Sequence, residues 1–495
     1  MEDVKGKVYL IGAGPGDEEL ITLKAIKALK KCDVVLYDRL VGGNILKYLN
    51  ESCAIYYCGK EPGCHYKTQD EINDMLVKLA KEGNVVGRVK GGDPYVFGRG
   101  GEEALRLREE GIQFITIPGI TSPISVLNYA GIPITQRGIA QSFHIYTGMS
   151  AQKLNINWES AVNCNGTLVF LMGLDSLEEI ANKLMENGLN VNTPAAVIMR
   201  GTTSKQNNVI GEIENIVKKV KTAGLKSPCI IAFGEVISLS DKLNWNENMP
   251  LFGMNVCVTR SKEQAKEICN CLLDLGAQVT EINSIVIKEN FTEIDKYKEK
   301  LGQYDYIVLT SVNAVNIFFN YLKRERIDVR VLKAKFAVIG KATQEALEEK
   351  GVYSEIKGDQ ILSSDLAEKL IQIVKAKDRV FIPTSKLSKN TVFSALTNKG
   401  IEVDQVAIYE PRIGQIKSHV AFEDVDVVIY TSPSIVRNTI SMVGLDKIMK
   451  KKSLAIGEVT AKELIKYGIN PIVCDEQSNE GIISKLLEIR NDKSI

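Results

Sequence analysis

Residues 8–38, VYLIGAGPGDEELITLKAIKALKKCDVVLYD, carry the reading of the fold. An apolar, β-branched run ends in a glycine cluster. A stretch with helical spacing of Leu, Ile and Ala follows, and a second apolar run closes on Asp38. Strand, turn, helix and strand in that order form the repeating unit of an α/β protein. The same alternation continues almost throughout the chain, which reads as α/β. Its 495 residues exceed one ordinary domain, and at roughly 150 residues per domain about three compact units are expected.

Composition excludes several classes of function. Hydrophobic residues make up 44% and charged residues 25%, as in ordinary globular proteins. Lys and Arg number 62 against 61 Asp and Glu, a formal charge of +1. Such a balance exerts no global pull toward nucleic acid or a membrane surface, so an anionic ligand has to be met by a local cluster. No apolar run approaches the roughly 18 residues of a membrane span. The longest, near Pro228 to Ile237, fits a buried strand. MEDVKGK at the start carries acids and enters a strand at once, which is unlike a signal peptide. Ten cysteines without a C-x-x-C pair, beside three histidines, suggest no metal cluster and point to reduced thiols in a cytoplasmic enzyme.

The main seam is LNWNENMPLFGMN, residues 243–255, rich in Asn and broken by Pro250 and Gly253. It predicts domains at 1–245 and 250–495, with few contacts across the join. A weaker seam at ITIPGITSP, residues 115–123, divides the first half into lobes of about 1–117 and 118–245. Pro123 there sits just inside the next helix. The second half repeats itself: VTRS, LTS and IGKAT end at Ser261, Ser311 and Thr343, and PTS, YTS and IGEVT end at Ser385, Ser432 and Thr460. The intervals are 50 then 32 residues, and 47 then 28. Two related α/β lobes follow, contiguous by the repeat alone. Each marked hydroxyl is expected where a strand passes into a helix, the ligand edge of open α/β sheets, although Ser and Thr also stand there as helix caps.

The first glycine cluster is Gly12, Gly14 and Gly16 around Pro15. It is not the dinucleotide fingerprint, because Asp17 occupies the third glycine position and Pro15 lacks an amide donor. Asp38 ends the second strand, where an acid grips ribose in nicotinamide enzymes but where turn and cap residues are also common. Lys60 follows a third strand and a glycine; alone it reads as a surface lysine. RVKGGDPYVFGRGGEEAL is denser. Two glycine clusters around Asp93 and Arg99 carry a large entropic cost, which a backbone cradle for a ligand explains better than a plain turn.

These stretches, with GKEPGCHYKTQDEIN, IPGITSPISVLNYAGIPITQRG, TLVFLMGL and RGTT, resemble the uroporphyrinogen-III C-methyltransferases of the tetrapyrrole methylase family across residues 5–240. Val86, Gly87, Arg88 and Val89 replace a commoner VVRL, and Ser122 replaces Ala. The resemblance implies S-adenosylmethionine bound between two lobes by Pro15, Gly91, Gly92, Asp93, Val96, Thr121, Ser122, Met172 and Gly201. It also implies proton-transfer roles for Asp38 as acceptor and Lys60 as donor. By residue type alone Met172 reads as a core strand residue, and Thr121 and Ser122 as helix caps.

Residues 252–490 resemble, more loosely, uroporphyrinogen-III synthase through VTR, LTSVNAV, FAVIGKAT, QVAIYEP, VVIYTSPSIV and LAIGEVTA. That resemblance implies exchanged lobes, about 252–285 with 413–495, and 286–412. It places Tyr409, Thr343 and Thr460 at a cleft, with Ser311 and Ser432 nearby. No metal and no cofactor are implied for this half.

The reading is a bifunctional cytoplasmic enzyme of the sirohaem and cobalamin branch, a homodimer through its first half, acting on small tetrapyrroles. The rival is a nicotinamide-dependent dehydrogenase fused to a two-lobed ligand-binding module. The broken glycine fingerprint weighs against it.

Overall fold

The computed structural model describes residues 6–59, 67–149, 156–358, 363–414 and 420–492. The chain divides into two compact units, residues 1–283 with 415–495, and residues 284–414.

The first sheet contains β1 (Lys7–Gly12), β2 (Val34–Tyr37), β3 (Ala54–Tyr57), β4 (Val85–Lys90) and β5 (Gln113–Ile117), in the order β3-β2-β4-β1-β5. Every pairing is parallel, with Lys7 opposite both Val85 and Gln113. Side chains alternate across it. Val8, Leu10, Val34 and Leu36 pack on the helices Gln69–Lys81 and Gly100–Glu109. Ile11, Val35 and Tyr37 pack on Leu23–Leu29. Burial on both faces is why these strands read as continuous apolar runs. The helix expected after the first glycines is interrupted. Asp17 caps a 3-10 turn, Glu18–Leu20, and Thr22 then caps Leu23–Leu29 by accepting from Ala25 N–H at 3.2 Å.

The second sheet holds β6 (Phe143–Thr147), β7 (Thr167–Leu171), β8 (Pro194–Met199), β9 (Asn207–Glu212) and β10 (Cys229–Phe233), ordered β6-β7-β10-β8-β9. The wholly buried β10 runs antiparallel between β7 and β8, so those two strands end at one edge, with Leu171 and Met199 opposite Ile230 and Cys229. The helix Ser122–Tyr129 covers this sheet through Val126 and Leu127.

A third sheet is wholly parallel: Gln278–Glu281, Asn255–Val258, Val427–Tyr430, Lys452–Ala455 and Ile472–Val473. The fourth runs Ile285–Glu289, Glu402–Ile413, Arg379–Ser385, Tyr306–Leu309, Lys335–Ile339 and Ile356–Gly358, antiparallel only at its first pair. The repeat is therefore not two contiguous lobes. Its first copy supplies one strand to the third sheet and two to the fourth; its second copy does the reverse.

The seam at 243–255 is also more heavily bridged than its composition forecasts. Lys47 Nζ lies 2.7 Å from Glu18 and 2.6 Å from Glu281, and Asn44 Nδ2 donates to Val279 O at 2.6 Å. Burial opposes the Lys47 charge, but the two carboxylates outweigh it and hold its pKa above the usual lysine value. The two contacts that cross the seam, to Glu281 and Val279, join residues more than 200 positions apart, so no local pattern exposes them. Among the described residues no helix is long and apolar enough to cross a membrane.

Candidate active sites

In the first sheet the strand order reverses around β1, and ligands of open α/β sheets bind at such a point beyond the strand ends. Three backbone segments converge there. Gly92 N–H donates to Gly14 O at 2.6 Å, Gly14 N–H returns the bond to Gly92 O at 3.2 Å, and Ala13 N–H donates to Lys90 O at 2.8 Å. A Cβ on Gly12 would stand 2.4 Å from Gly119 N, and one on Gly119 would stand 2.1 Å from Gly92 O. Only glycine allows these backbones to cross so closely. Asp93 locks the crossing: Oδ1 accepts from Tyr95 N–H at 2.8 Å and Oδ2 from Gly119 N–H at 3.1 Å.

Gly92 itself differs. Its φ is +65°, and a Cβ there would meet nothing nearer than Ser122 N at 3.8 Å. The open space in front of Gly92, Thr121 and Ser122 is a cradle that a side chain would fill. Thr121 is the N-cap of Ser122–Tyr129 by position, yet its hydroxyl caps no amide. Gly201 closes the other side, pressed so tightly on Val126 of that helix that a Cβ would lie 2.4 Å from Val126 Cγ1. Pro15 sits between Gly14 and Gly16, both at positive φ. Its turn is tied to the 201 turn by Asp17 N–H donating to Thr202 Oγ1 at 3.2 Å. Pro15, Gly91, Gly92, Asp93, Thr121, Ser122 and Gly201 thus come together.

Val96 lies on the loop that follows Gly91, Gly92 and Asp93, and Met172 on the turn after β7. Met172 is not a core strand residue. It follows β7 with φ +56° and 46% exposure. Phe97, Arg99, Arg200 and Thr202 also have positive φ. Left-handed backbone at non-glycine residues is costly and collects at functional loops.

Asp38 follows β2. Its Oδ1 accepts from Leu40 N–H at 3.1 Å and its Oδ2 lies 3.4 Å from Arg88 Nη2. Arg88 Nε also reaches Glu103 at 3.0 Å, and Lys90 Nζ reaches the same Glu103 oxygen at 2.9 Å. Burial disfavours the Arg88 charge, and Glu103 and Asp38 outweigh that burial to raise its pKa. Lys90 is lowered by burial and by Arg88 beside it. Neither Arg88 nor Glu103 is among the site residues that the sequence predicts. Their signal is charge inside an otherwise apolar strand, VVGRVK, and an acid in the first turns of the helix after the glycines. Lys60 lies outside the described residues.

In the unit of residues 284–414, Ser311 caps the helix Val312–Arg324, accepting from Ala314 N–H at 3.1 Å, and its Oγ lies 3.0 Å from the Tyr409 hydroxyl. Tyr409 does not end a strand. It is buried within Glu402–Ile413, which continues beyond it to pair with Ile285–Glu289. Burial raises the Tyr409 pKa and keeps the phenol protonated, with the Ser311 hydrogen bond working the other way. Thr343 is the buried third residue of Lys341–Glu348, whose N-cap is Gly340. In the other unit, Ser432 caps Pro433–Val443, and Thr460 is the buried third residue of Glu458–Lys466 after Gly457. The two serines are helix caps, as their type alone suggests; the two threonines are not.

The first half is therefore an α/β protein with a glycine-built backbone crossing at its strand ends. The second is an α/β pair of sheets with hydroxyls at its helix starts. The family model for tetrapyrrole (corrin/porphyrin) methylases matches residues 7–217, and that for uroporphyrinogen-III synthase matches residues 266–484. The porphyrin biosynthesis protein HemD of Ruminiclostridium josui is 35% identical over 98% of both chains. A uroporphyrinogen-III C-methyltransferase of Bacillus subtilis is 46% identical over 49% of this chain and 95% of its own. A crystal structure of uroporphyrin-III C-methyltransferase from Thermus thermophilus is 37% identical, covers 48% of this chain and 96% of that one, and has a TM-score of 0.40. The chain belongs to the family in which a tetrapyrrole methylase is fused to a uroporphyrinogen-III synthase.

Proposed function

We propose that residues 250–495 close hydroxymethylbilane to uroporphyrinogen III with inversion of ring D, and that residues 1–245 methylate this product twice to precorrin-2. The observation that carries the first activity is the crevice of Gly92, Thr121, Ser122 and Gly201, whose open backbone fits a small polar ligand. Pro15, Gly91, Gly92, Asp93, Val96, Thr121, Ser122, Met172 and Gly201 are the residues proposed to hold S-adenosylmethionine. When bound, that group supplies an electrophilic sulfonium methyl. The chain's part is to hold donor and pyrrole carbon in line and exclude water. Asp38, oriented by Leu40 N–H and Arg88, takes the proton that the methylated macrocycle must lose. Lys60 is proposed as the proton donor. The synthase half works without a cofactor: Ser311, Thr343, Ser432 and Thr460 bind the substrate, and the Tyr409 hydroxyl donates to the departing hydroxide. The assembly is proposed to be a cytoplasmic homodimer through the methylase half.

Titration of the purified chain with S-adenosylhomocysteine and with NAD tests the first half directly. Heat of binding from NAD alone would restore the dehydrogenase reading. Asp38→Asn is expected to lower the turnover of methylation roughly 100-fold, at the lower end for loss of a general base, while leaving S-adenosylhomocysteine affinity nearly unchanged. A large loss of affinity with normal turnover would make Asp38 a ribose-gripping acid instead.

Tyr409→Phe is expected to slow isomer III formation about 10-fold, the kinetic worth of one hydrogen bond, without abolishing it. Methylation of supplied uroporphyrinogen III stays unchanged. Chromatographic separation of isomers I and III reads the result, since uncatalysed closure gives isomer I. A wild-type rate would remove Tyr409 from the site.

A further inference from the structure

The turn after β8 carries two costs at once. Arg200 and Thr202 are both left-handed, at φ +47° and +66°, and Gly201 between them is pressed against Val126. Strained backbone of this kind persists only where surrounding contacts over-determine it. On its inner side the turn is held by the methylase half: Thr202 N–H donates to Gln206 Oε1 at 2.9 Å, and Thr202 Oγ1 accepts from Asp17 N–H.

Its outer side is held by residues of the synthase half, within the same compact unit. The Arg200 guanidinium engages both carboxylate oxygens of Asp424 in a two-pronged pair. Lys205 Nζ lies 2.6 Å from Asp426 Oδ1, and Ser204 N–H donates to Gln278 Oε1 at 2.9 Å. Asp426 is itself anchored, because its second oxygen accepts from Asn255 N–H at 2.8 Å, at the start of a strand of the third sheet. A planar guanidinium on a carboxylate fixes direction as well as distance, and a lysine in place of Arg200 could not do so.

We propose that the synthase half braces the methyl-donor loop of the methylase half, with Asp424 as a positioning residue that acts through Arg200 on Gly201. The proposal rests on the reading of Gly201 as part of the donor site. The fused lobe keeps residues 200–206 in their strained, binding-competent form, so the methylase half binds its donor more tightly with the brace in place than without it. A contact of this sort is a coupling between two regions, measurable as a change in affinity. Among the described residues no hydrogen bond or ion pair joins Asp424 to the Gly92 cradle, so the brace separates from the methyl-transfer chemistry.

The test uses the full chain. Titration calorimetry with S-adenosylhomocysteine compares wild type, Asp424→Ala and Asp424→Glu. Asp424→Ala is expected to weaken binding roughly 5-fold, at the low end of typical coupling, and to raise the KM for the donor with kcat retained. Asp424→Glu recovers most of the loss. Amide exchange at residues 200–206 rises in the alanine variant, while ring closure by the synthase half is unchanged. If Asp424→Ala does not fold, Lys205→Ala gives the same readout at the second ion pair. Wild-type affinity and exchange in the folded variant overturn the brace. Failure of wild type itself to bind S-adenosylhomocysteine overturns instead the donor-site reading beneath it.

Discussion

Glu103→Ala is expected to destabilise the first half by about 3–5 kcal/mol, the cost of leaving buried charge without its partner. Glu103 is fully buried, and one of its oxygens takes Arg88 Nε at 3.0 Å, Lys90 Nζ at 2.9 Å and Gln69 Nε2 at 3.2 Å. Among the described residues its removal leaves Arg88 with Asp38 and the Val89 carbonyl, and Lys90 with no carboxylate within an ion-pair distance. Lys90 is already held below the usual lysine value by burial and by Arg88, so loss of Glu103 favours its neutral form further; Arg88 has no such release. Equilibrium urea unfolding reads the loss as a lower midpoint at unchanged slope. A midpoint within error of wild type would show that water already screens this network. Glu103→Gln, which keeps the shape and one acceptor, is expected to lie between.

Gly119→Ala is the second large effect. The added methyl group would meet three backbone atoms, Gly92 O at 2.1 Å and Gly12 C and Cα at 2.8 Å each, none of which can rotate away. The segment after β5 that carries Gly119 must move away from the ends of β1 and β4, which costs about 3 kcal/mol, the upper end for overpacking. The Gly92 cradle shifts with it, so S-adenosylhomocysteine affinity falls along with stability. Gly101→Ala is the control. It lies in the first turn of Gly100–Glu109 with nothing within 4 Å of its would-be Cβ, and a change smaller than about 1 kcal/mol is expected. Equal effects at both positions would show that glycine content, and not the crossing, governs this half.

Much of the architecture is legible in the sequence because its causes are local. Alternating apolar runs and helical spacing encode the α/β class through side-chain period, and the glycine clusters mark the turns that need absent side chains. The glycine-rich loops read as ligand cradles stand at the strand ends of the first sheet for the same reason. What local patterns leave open is which strands pair. The repeat in the second half suggests contiguous lobes, and pairing at long range assigns its strands crosswise to two sheets. Met172 reads as core because its neighbours in TLVFLMGL are apolar; the left-handed turn that exposes it is decided by where β7 stops. The short run QVAIYEP does not show how far the strand of Tyr409 extends; it continues past Tyr409 because Ile285–Glu289 pairs with residues 409–413.

The sequence by itself determined the fold class, the glycine-rich turns and the kinds of residue at each site, because these depend on side chains a few positions apart. Only the tertiary structure decided the partners of Asp38, the buried role of Glu103 and the brace from Asp424 to Arg200. Each joins charges 15 to 224 positions apart. The physical reason is that an ion pair leaves no periodic trace in sequence: any acid can meet any base, and the folded backbone alone selects which.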